Sequence, residues 1–492
     1  MTSVQKKDLF LIGILLAITG FFFFNDFLTA PRVAWDEGLN LNLAKNLAEF
    51  GKWQVQESPG QFSGQTHFYS TGWTILFPSA VIFKIFGVSF MAGRLMMFAY
   101  LTGFLILSFF LGKMWFGRSA AFLGVLLIAV FTPVYTYGKP LLGEIPSLFW
   151  LVLGILLFEK LKQKWQWQHA ALTGFCFGAA AASKLTYVIL FSPVVAIMAL
   201  TYFARKKVSL IWLLFFTLSF FVAIAPVLWF SFSFAVLNSS FGEVISFYSN
   251  NHASSCLSCD VKNNFIKFFT SKSLLYTGVL MMIAILGALK IFIKNKTLHY
   301  AVWGAGLYGL LTLTYFFKSP GVVRYLLPIQ IIVIFVAPFL IIRLADNLSE
   351  VIKNKIFLKR LGWALIALLV LFNLYSIIIS GYATSSSAPV EMEKYVKNYL
   401  PKEGMVGVIN LPALAAVIPS HRLINYIRID NQTDRAVGIN PLAFNKEEMP
   451  EFLIFDESNG KTEKDLRPFN DKLENLYAKI FEAEKYKIFQ LK

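Results

Sequence analysis

Five charged residues stand where a strongly apolar sequence is interrupted: Asp36 and Glu37, Glu144, Lys184 and Arg324. They occur in Trp35-Asp36-Glu37-Gly38, Leu142-Gly143-Glu144-Ile145-Pro146, Ala182-Ser183-Lys184-Leu185 and Val323-Arg324-Tyr325-Leu326-Leu327-Pro328, each at the end of an apolar run. A charge at the centre of a membrane helix costs about 2.5–3.5 kcal/mol on insertion scales, so helix ends are the cheap positions, and snorkelling accounts for any single lysine there. The joint occurrence suits a specific chemistry. Two cations at the level of two acids fit a reaction in which an anionic phosphate leaves while a neutral hydroxyl attacks. Lys184 and Arg324 would hold the phosphate and stabilise its charge as the bond to it breaks. Asp36, with Glu37 beside it, would accept the hydroxyl proton or fix its orientation, and Glu144 would orient the acceptor. Asp36 and Glu144 are also the acids that could hold a divalent metal. The plainer alternative for Asp36 is a helix N-cap, because Leu39, Leu43, Leu47 and Phe50 follow it at helical spacing.

These residues need a membrane scaffold to bring them to one level. The chain of 492 residues is 57% hydrophobic, 16% aromatic and only 15% charged, with a mean hydropathy of +0.60, outside the range of soluble domains. Apolar stretches of membrane length predict about eleven helices, near 9–28, 95–113, 119–137, 143–160, 169–184, 185–204, 208–230, 273–293, 298–316, 322–343 and 361–382. Lipid offers no partner for backbone polar groups, so each must be helical. The first run follows Lys6 and Lys7 and reads as a retained anchor with its N-terminus in the cytoplasm. That orientation puts 18 Lys and Arg against four acids (Asp8, Glu159, Asp346 and Glu350) on the inside, which is the positive-inside pattern. The formal charge of +17 is therefore mostly topology and does not call for a nucleic-acid partner.

Three segments then lie outside, near 29–94, 231–272 and beyond 382. The first predicts an amphipathic helix lying along the membrane surface after Asp36. Residues 383–492 carry 16 acids and 15 bases, and their apolar runs shorten to strand length. A small extracytoplasmic α/β domain is predicted there, with a helix over 390–400, strands at 405–409, 422–427, 452–455 and 486–491, and a helix across 465–482. The division is thus a membrane domain, 1–382, and a soluble domain, 383–492. Cys256 and Cys259 in the second external segment read first as a local disulfide, with free thiols and a zinc site as alternatives. Cys176, inside the fifth run, reads as packing.

The first external segment continues Thr66-His67-Phe68-Tyr69-Ser70-Thr71-Gly72-Trp73, then Leu76-Phe77-Pro78, and reaches Gly93-Arg94-Leu95 at the next span. With the acidic pair after the first span, Glu144 in a short outer loop, Ser183-Lys184 and Arg324-Tyr325-x-x-Pro328, the arrangement resembles the GT-C superfamily of membrane glycosyltransferases. The branch it is similar to is the bacterial one related to protein O-mannosyltransferases and to the aminoarabinose transferase that modifies lipid A. The resemblance covers the topology of roughly the first 380 residues and implies inverting sugar transfer from a polyprenyl-phosphate donor. Its acceptor would be a lipid, glycan or protein outside a bacterial cytoplasmic membrane. It also implies that Lys184 meets the donor phosphate and that Tyr325 joins Arg324 in contacting substrate. His67 and Tyr69 could line the sugar pocket or simply be solvated. Tyr69-Ser70-Thr71-Gly72 departs from the branch, which has an acidic-basic pair and two prolines there. Lys84 and Arg94 are the nearby candidates for the phosphate contact this removes, or else mark the interface.

Two other classes compete. A secondary transporter or flippase would place ionisable groups near mid-span and show two related halves, which this sequence does not. A catalytically silent relative serving a glycan-assembly complex would keep the scaffold alone.

Overall fold

The computed structural model describes residues 3–33, 35–62, 71–161, 166–184, 187, 191, 194–196, 199, 210–238, 257–295, 300–318, 323–352, 355–379, 385–409, 411–426, 449–456 and 475–492. The first half consists of α1 (Ser3–Phe24), α2 (Trp35–Phe50), the β1–β2 hairpin (Gln56–Ser58 and Gln61–Phe62), α3 (Trp73–Phe86), α4 (Phe90–Phe116), α5 (Arg118–Ala129), α6 (Thr132–Gly138), α7 (Glu144–Leu161) and α8 (Trp167–Ala182). Then follow α9 (Leu210–Asn238), α10 (Leu257–Thr270), α11 (Lys272–Asn295), α12 (Tyr300–Lys318), a 3-10 turn (Val323–Leu326), α13 (Leu327–Ile352) and α14 (Lys355–Ile379). Phe10, Phe21, Phe221, Leu371 and Ile378 are exposed large apolar side chains on these helices, as a lipid-facing surface requires. This is a multi-pass membrane protein.

Among the described residues, five helices are long and apolar enough to cross a membrane, or seven if each of two bent pairs counts as one span. The eleven stretches read from sequence are not all single spans. The run expected at 119–137 breaks by 60° between α5 and α6. Phe131 is extended there and Pro133 stands in the first turn of α6, where its missing N–H is harmless but a continuous helix is not. The Tyr135 hydroxyl donates to Ala129 O at 2.5 Å and satisfies a carbonyl that the break exposes. Helix α7 carries Glu144, Glu159 and Lys160, and α8 has only 16 residues. Most of 185–204 lies outside the described residues.

Small residues set a close helix–helix contact in the bundle. A side chain at Gly174 would meet Phe216 O at 2.1 Å, and one at Gly178 would meet Phe220 O at 2.4 Å. The Gly-x-x-x-Gly face of α8 therefore lets its backbone lie directly against α9. This fixes the C-terminal end of α8, where Ser183 and Lys184 follow.

The C-terminal region has α15 (Ala388–Asn398), β3 (Val406–Ile409), α16 (Pro412–Val417), β4 (Leu423–Tyr426), β5 (Phe452–Asp456), β6 (Tyr477–Ala483) and β7 (Tyr486–Leu491). The sheet order is β4-β3-β5-β7-β6, with β3 parallel to β4 and β5, and β7 antiparallel to β5 and β6. The four expected strands are present within a residue or two. Of the helix expected across 465–482, residues 465–474 lie outside the described residues, and 477–482 belong to β6. Ala483 pairs with Tyr486 across Glu484-Lys485, and Glu484 has a positive φ of 52°. A two-residue hairpin turn normally announces itself with Asn or Gly at such a position, and here it does not.

The helix expected to lie on the membrane surface is instead enclosed. Leu41, Leu43 and Ala44 are buried on α2, and so are Asn40, Asn42, Lys45 and Asn46. The membrane body covers one side and the C-terminal domain the other: a side chain at Gly38 would sit 2.3 Å from Ala413 N. Gln56 Nε2 donates to Ser420 O at 2.6 Å, Asn425 Nδ2 to Gln56 O at 3.2 Å, Lys45 Nζ to Ile418 O, and Ser420 Oγ to the Glu49 carboxylate.

Burial lowers the Lys45 ammonium to about 8. The folded protein therefore releases this proton before the unfolded chain does, so stability is reduced below about pH 8 and rises between there and the ordinary lysine value. Thermal melting in detergent should move upward from pH 7.5 to 10 in the wild type more than in Lys45→Met. Equal pH slopes in the two proteins would exclude this role for Lys45.

Candidate functional site

The two acids and two cations singled out by spacing come together as two ion pairs. Lys184 Nζ lies 2.6 Å from Glu144 Oε1, with both side chains almost fully buried. Arg324 Nη1 contacts Asp36 Oδ2, and these side chains are 23% and 40% exposed, so the Asp36 end is the open one. Arg324 also lies within electrostatic reach of Glu144. The Tyr325 ring is shared, with Lys184 Nζ 5.3 Å and Arg324 Cζ 5.5 Å from its centre. Opposite charges thus alternate from Asp36 through Arg324 and Glu144 to Lys184. Arg324 Nε and Glu144 Oε2 are buried and have no hydrogen-bond partner among the described residues. Spare polar capacity of that kind in a buried site points to a ligand or water.

Local sequence explains the placement of each group. The Thr71-Gly72-Trp73 step pairs with the residues preceding and including Lys184: Thr71 bridges Lys184, and Gly72 N–H donates to Ser183 O at 3.2 Å. Gly72 is required by space, since a side chain there would reach 1.6 Å from Ala182 O. Trp73 Nε1 donates to Ala223 O at 2.7 Å, and Thr74 Oγ1 to Ser183 Oγ at 2.9 Å. Glu144 is brought to Lys184 by Ser147, whose hydroxyl donates to Ala180 O at 2.8 Å and holds α7 on α8. Asn40 Nδ2 donates to Leu141 O at 2.6 Å, tying α2 to the loop that presents Glu144. Arg324 sits in the 3-10 turn before α13, just ahead of Pro328.

Glu37 and Arg94 go elsewhere. Arg94 holds Glu37 in a bidentate pair, Nε to Oε1 at 3.0 Å and Nη2 to Oε2 at 2.9 Å, and also donates to Phe27 O and Pro31 O at 2.8 Å. Both side chains are 0–1% exposed. That geometry closes them off from an incoming phosphate or hydroxyl and makes them a structural lock on the turn after α1. Lys84 is exposed in the last turn of α3, and no described contact joins it to the cluster. His67, Tyr69, Cys256 and the side chain of Cys259 lie outside the described residues. Cys176 is a buried free thiol.

The sequence reading missed Lys139, Tyr187 and Tyr308. Lys139 is fully buried and donates to Asn25 O at 2.6 Å and Ala30 O at 3.1 Å. Burial, with the Arg94 charge adding, lowers its ammonium to about 7. Its position directly after Gly138 in an apolar stretch was the available signal. The tyrosines are single aromatics among 19 and carry no spacing signal.

Asp36 and Glu144 each already face a cation, and among the described residues no group of three or more His, Cys, Asp or Glu gathers.

Residues 73–230 match the family model of the dolichyl-phosphate-mannose-protein mannosyltransferases. No curated protein matches the chain in sequence. Solved structures do match. ArnT from Cupriavidus metallidurans bound to undecaprenyl phosphate is similar at 12% identity, with 99% of this chain and 98% of that chain covered and a TM-score of 0.58. The archaeal oligosaccharyltransferase AglB from Archaeoglobus fulgidus, in complex with an inhibitory peptide and a dolichol-phosphate, matches at 12% identity over 92% of this chain and 70% of that chain, also with a TM-score of 0.58. The chain therefore shares the fold of the ArnT and AglB structures, and its match to the dolichyl-phosphate-mannose-protein mannosyltransferase family model is confined to residues 73–230.

Proposed function

We propose that this chain transfers a sugar from a polyprenyl-phosphate carrier to an acceptor hydroxyl on the outer side of a bacterial cytoplasmic membrane. The observation that carries the reading is the alternating Asp36–Arg324 and Glu144–Lys184 cluster, with a spare buried donor on Arg324. In this reading the N-terminus is cytoplasmic and the C-terminal region external, so that the cluster lies at the outer face; the excess of Lys and Arg over acids in the segments assigned to the inside supports that orientation. The matched family and both solved relatives are associated by name with lipid phosphates, which supports a lipid-linked donor.

The resting ion pairs keep both cations in place before substrate arrives. An entering phosphate would take the free Arg324 Nε–H and the remaining Lys184 N–H groups, loosening Asp36 from Arg324. Asp36 could then accept the proton of the attacking hydroxyl. The new O–C bond forms at the anomeric carbon while the bond from that carbon to the phosphate oxygen breaks, and the electron pair leaves on the polyprenyl phosphate. Arg324 and Lys184 stabilise this charge more strongly as it develops. The acceptor's class, lipid, glycan or protein, is the remaining variable.

Purified protein incubated with undecaprenyl-phosphate sugars and envelope extracts should release free undecaprenyl phosphate; release from none of the donors would overturn the reading. Lys184→Met should weaken binding of undecaprenyl phosphate by about 10- to 150-fold, the worth of a hydrogen bond to a charged group at about 1.5–3 kcal/mol. Unchanged affinity would remove Lys184 from the phosphate site. A cysteine placed near residue 460 should react with an impermeant probe on intact cells, and protection there would reverse the orientation.

A further inference from the structure

Three buried polar atoms near Lys184 have no hydrogen-bond partner among the described residues: Glu144 Oε2, Tyr187 Oη and Tyr308 Oη. Tyr187 lies one turn beyond Lys184, its N–H donating to Lys184 O at 2.8 Å. Tyr308 comes from α12, and the Phe191 ring joins the two tyrosines, edge-on to Tyr187 at 5.1 Å and stacked on Tyr308 at 4.7 Å. The Tyr187 and Tyr308 rings are 0% and 2% exposed. Both lie within electrostatic reach of Glu144. The carboxylate can only accept hydrogen bonds, whereas each phenol can donate one and accept another.

That combination selects among the parts of a lipid-linked donor. A polyprenyl tail would leave all three atoms unpaired. An ionised phosphate has no hydrogen to give Glu144 Oε2, which can only accept. A group bearing several hydroxyls can donate to Glu144 and accept from the phenols at once. We infer that Glu144, Tyr187 and Tyr308 form a pocket that recognises hydroxyl groups of the transferred sugar, next to the phosphate held by Lys184. Tyr187 and Tyr308 then determine which donor is accepted. This rests on the transferase reading above.

Equilibrium binding to the full-length protein in detergent tests the pocket separately from turnover. The probes are undecaprenyl phosphate alone and undecaprenyl phosphate carrying mannose, glucose, galactose or arabinose. The wild type should bind at least one glycosylated lipid more tightly than the bare lipid. Tyr187→Phe and Tyr308→Phe should each reduce that gap by about three- to tenfold, the worth of one hydrogen bond, with bare-lipid affinity unchanged. No gap for any of the four sugars, or a gap that survives both substitutions, overturns the pocket and leaves the three atoms to ordered water. The wild type gives an independent reading if a variant folds poorly. Singly deoxygenated versions of the preferred sugar should bind less tightly at one or more positions, and equal affinity for all of them would overturn the pocket. A gap that closes as expected, without release of undecaprenyl phosphate from any donor, would overturn transfer and leave the pocket standing. Failure to bind even the bare lipid would overturn both.

Discussion

Asp36→Asn should lower the rate of sugar transfer by about 10²- to 10⁴-fold, the range that a positioned proton acceptor contributes, while undecaprenyl phosphate still binds. The substitution keeps the shape of the side chain and one acceptor oxygen, but removes the charge and the basic site. Asp36 is the more exposed acid of the cluster and sits at the first turn of α2, which leaves it open to an acceptor under the proposed reaction. Glu144, at 0% exposure, is the enclosed acid of the cluster. Rate and affinity should therefore separate: initial rates of undecaprenyl-phosphate release fall, and lipid-phosphate affinity stays or rises as Arg324 loses its competing carboxylate. Full activity in the variant would return Asp36 to a helix-capping role. A parallel collapse of affinity and rate would show that it holds Arg324 in place rather than handling the proton.

The second large effect is on stability. Arg94→Met should destabilise the fold by about 3–5 kcal/mol, because it leaves the Glu37 carboxylate charged and enclosed without its partner. It also orphans Phe27 O and Pro31 O, which Arg94 serves. Glu37→Gln combined with Arg94→Met removes both charges and should recover much of the loss. Thermal unfolding in detergent reads both proteins. If Arg94→Met melts like the wild type and loses only lipid-phosphate affinity, Arg94 is a phosphate ligand and the structural lock is wrong.

Much of the site was legible in the sequence because charge is expensive in an apolar chain. Glu144, Lys184 and Arg324 stood out for that reason, and the structure brings them together with Asp36. The partner of each charge was not legible. Glu37 is adjacent to Asp36 in sequence, yet one turns to Arg94 and the other to Arg324, 57 and 288 residues away. Pattern reading also found the strands at 406–409, 423–426, 452–456 and 486–491, where apolar runs are short and bounded. It missed β6 because Glu484-Lys485 makes a tight turn without a turn residue. It read α2 as an amphipathic helix along the membrane surface because its leucines recur at helical spacing, and nothing local records that the C-terminal region packs on its polar side.

That shared helix limits how such proteins can diversify by recombination. One surface of α2 belongs to the membrane body and carries Asp36 at its start; the other is the seat of the C-terminal region, cut to fit at Gly38 and wired through Lys45, Glu49 and Gln56. A C-terminal region inherited from a different ancestor would bring a foreign counterpart to Ala413, Ile418 and Ser420. The two pieces are separated by more than 300 residues of sequence, yet their histories must be written together.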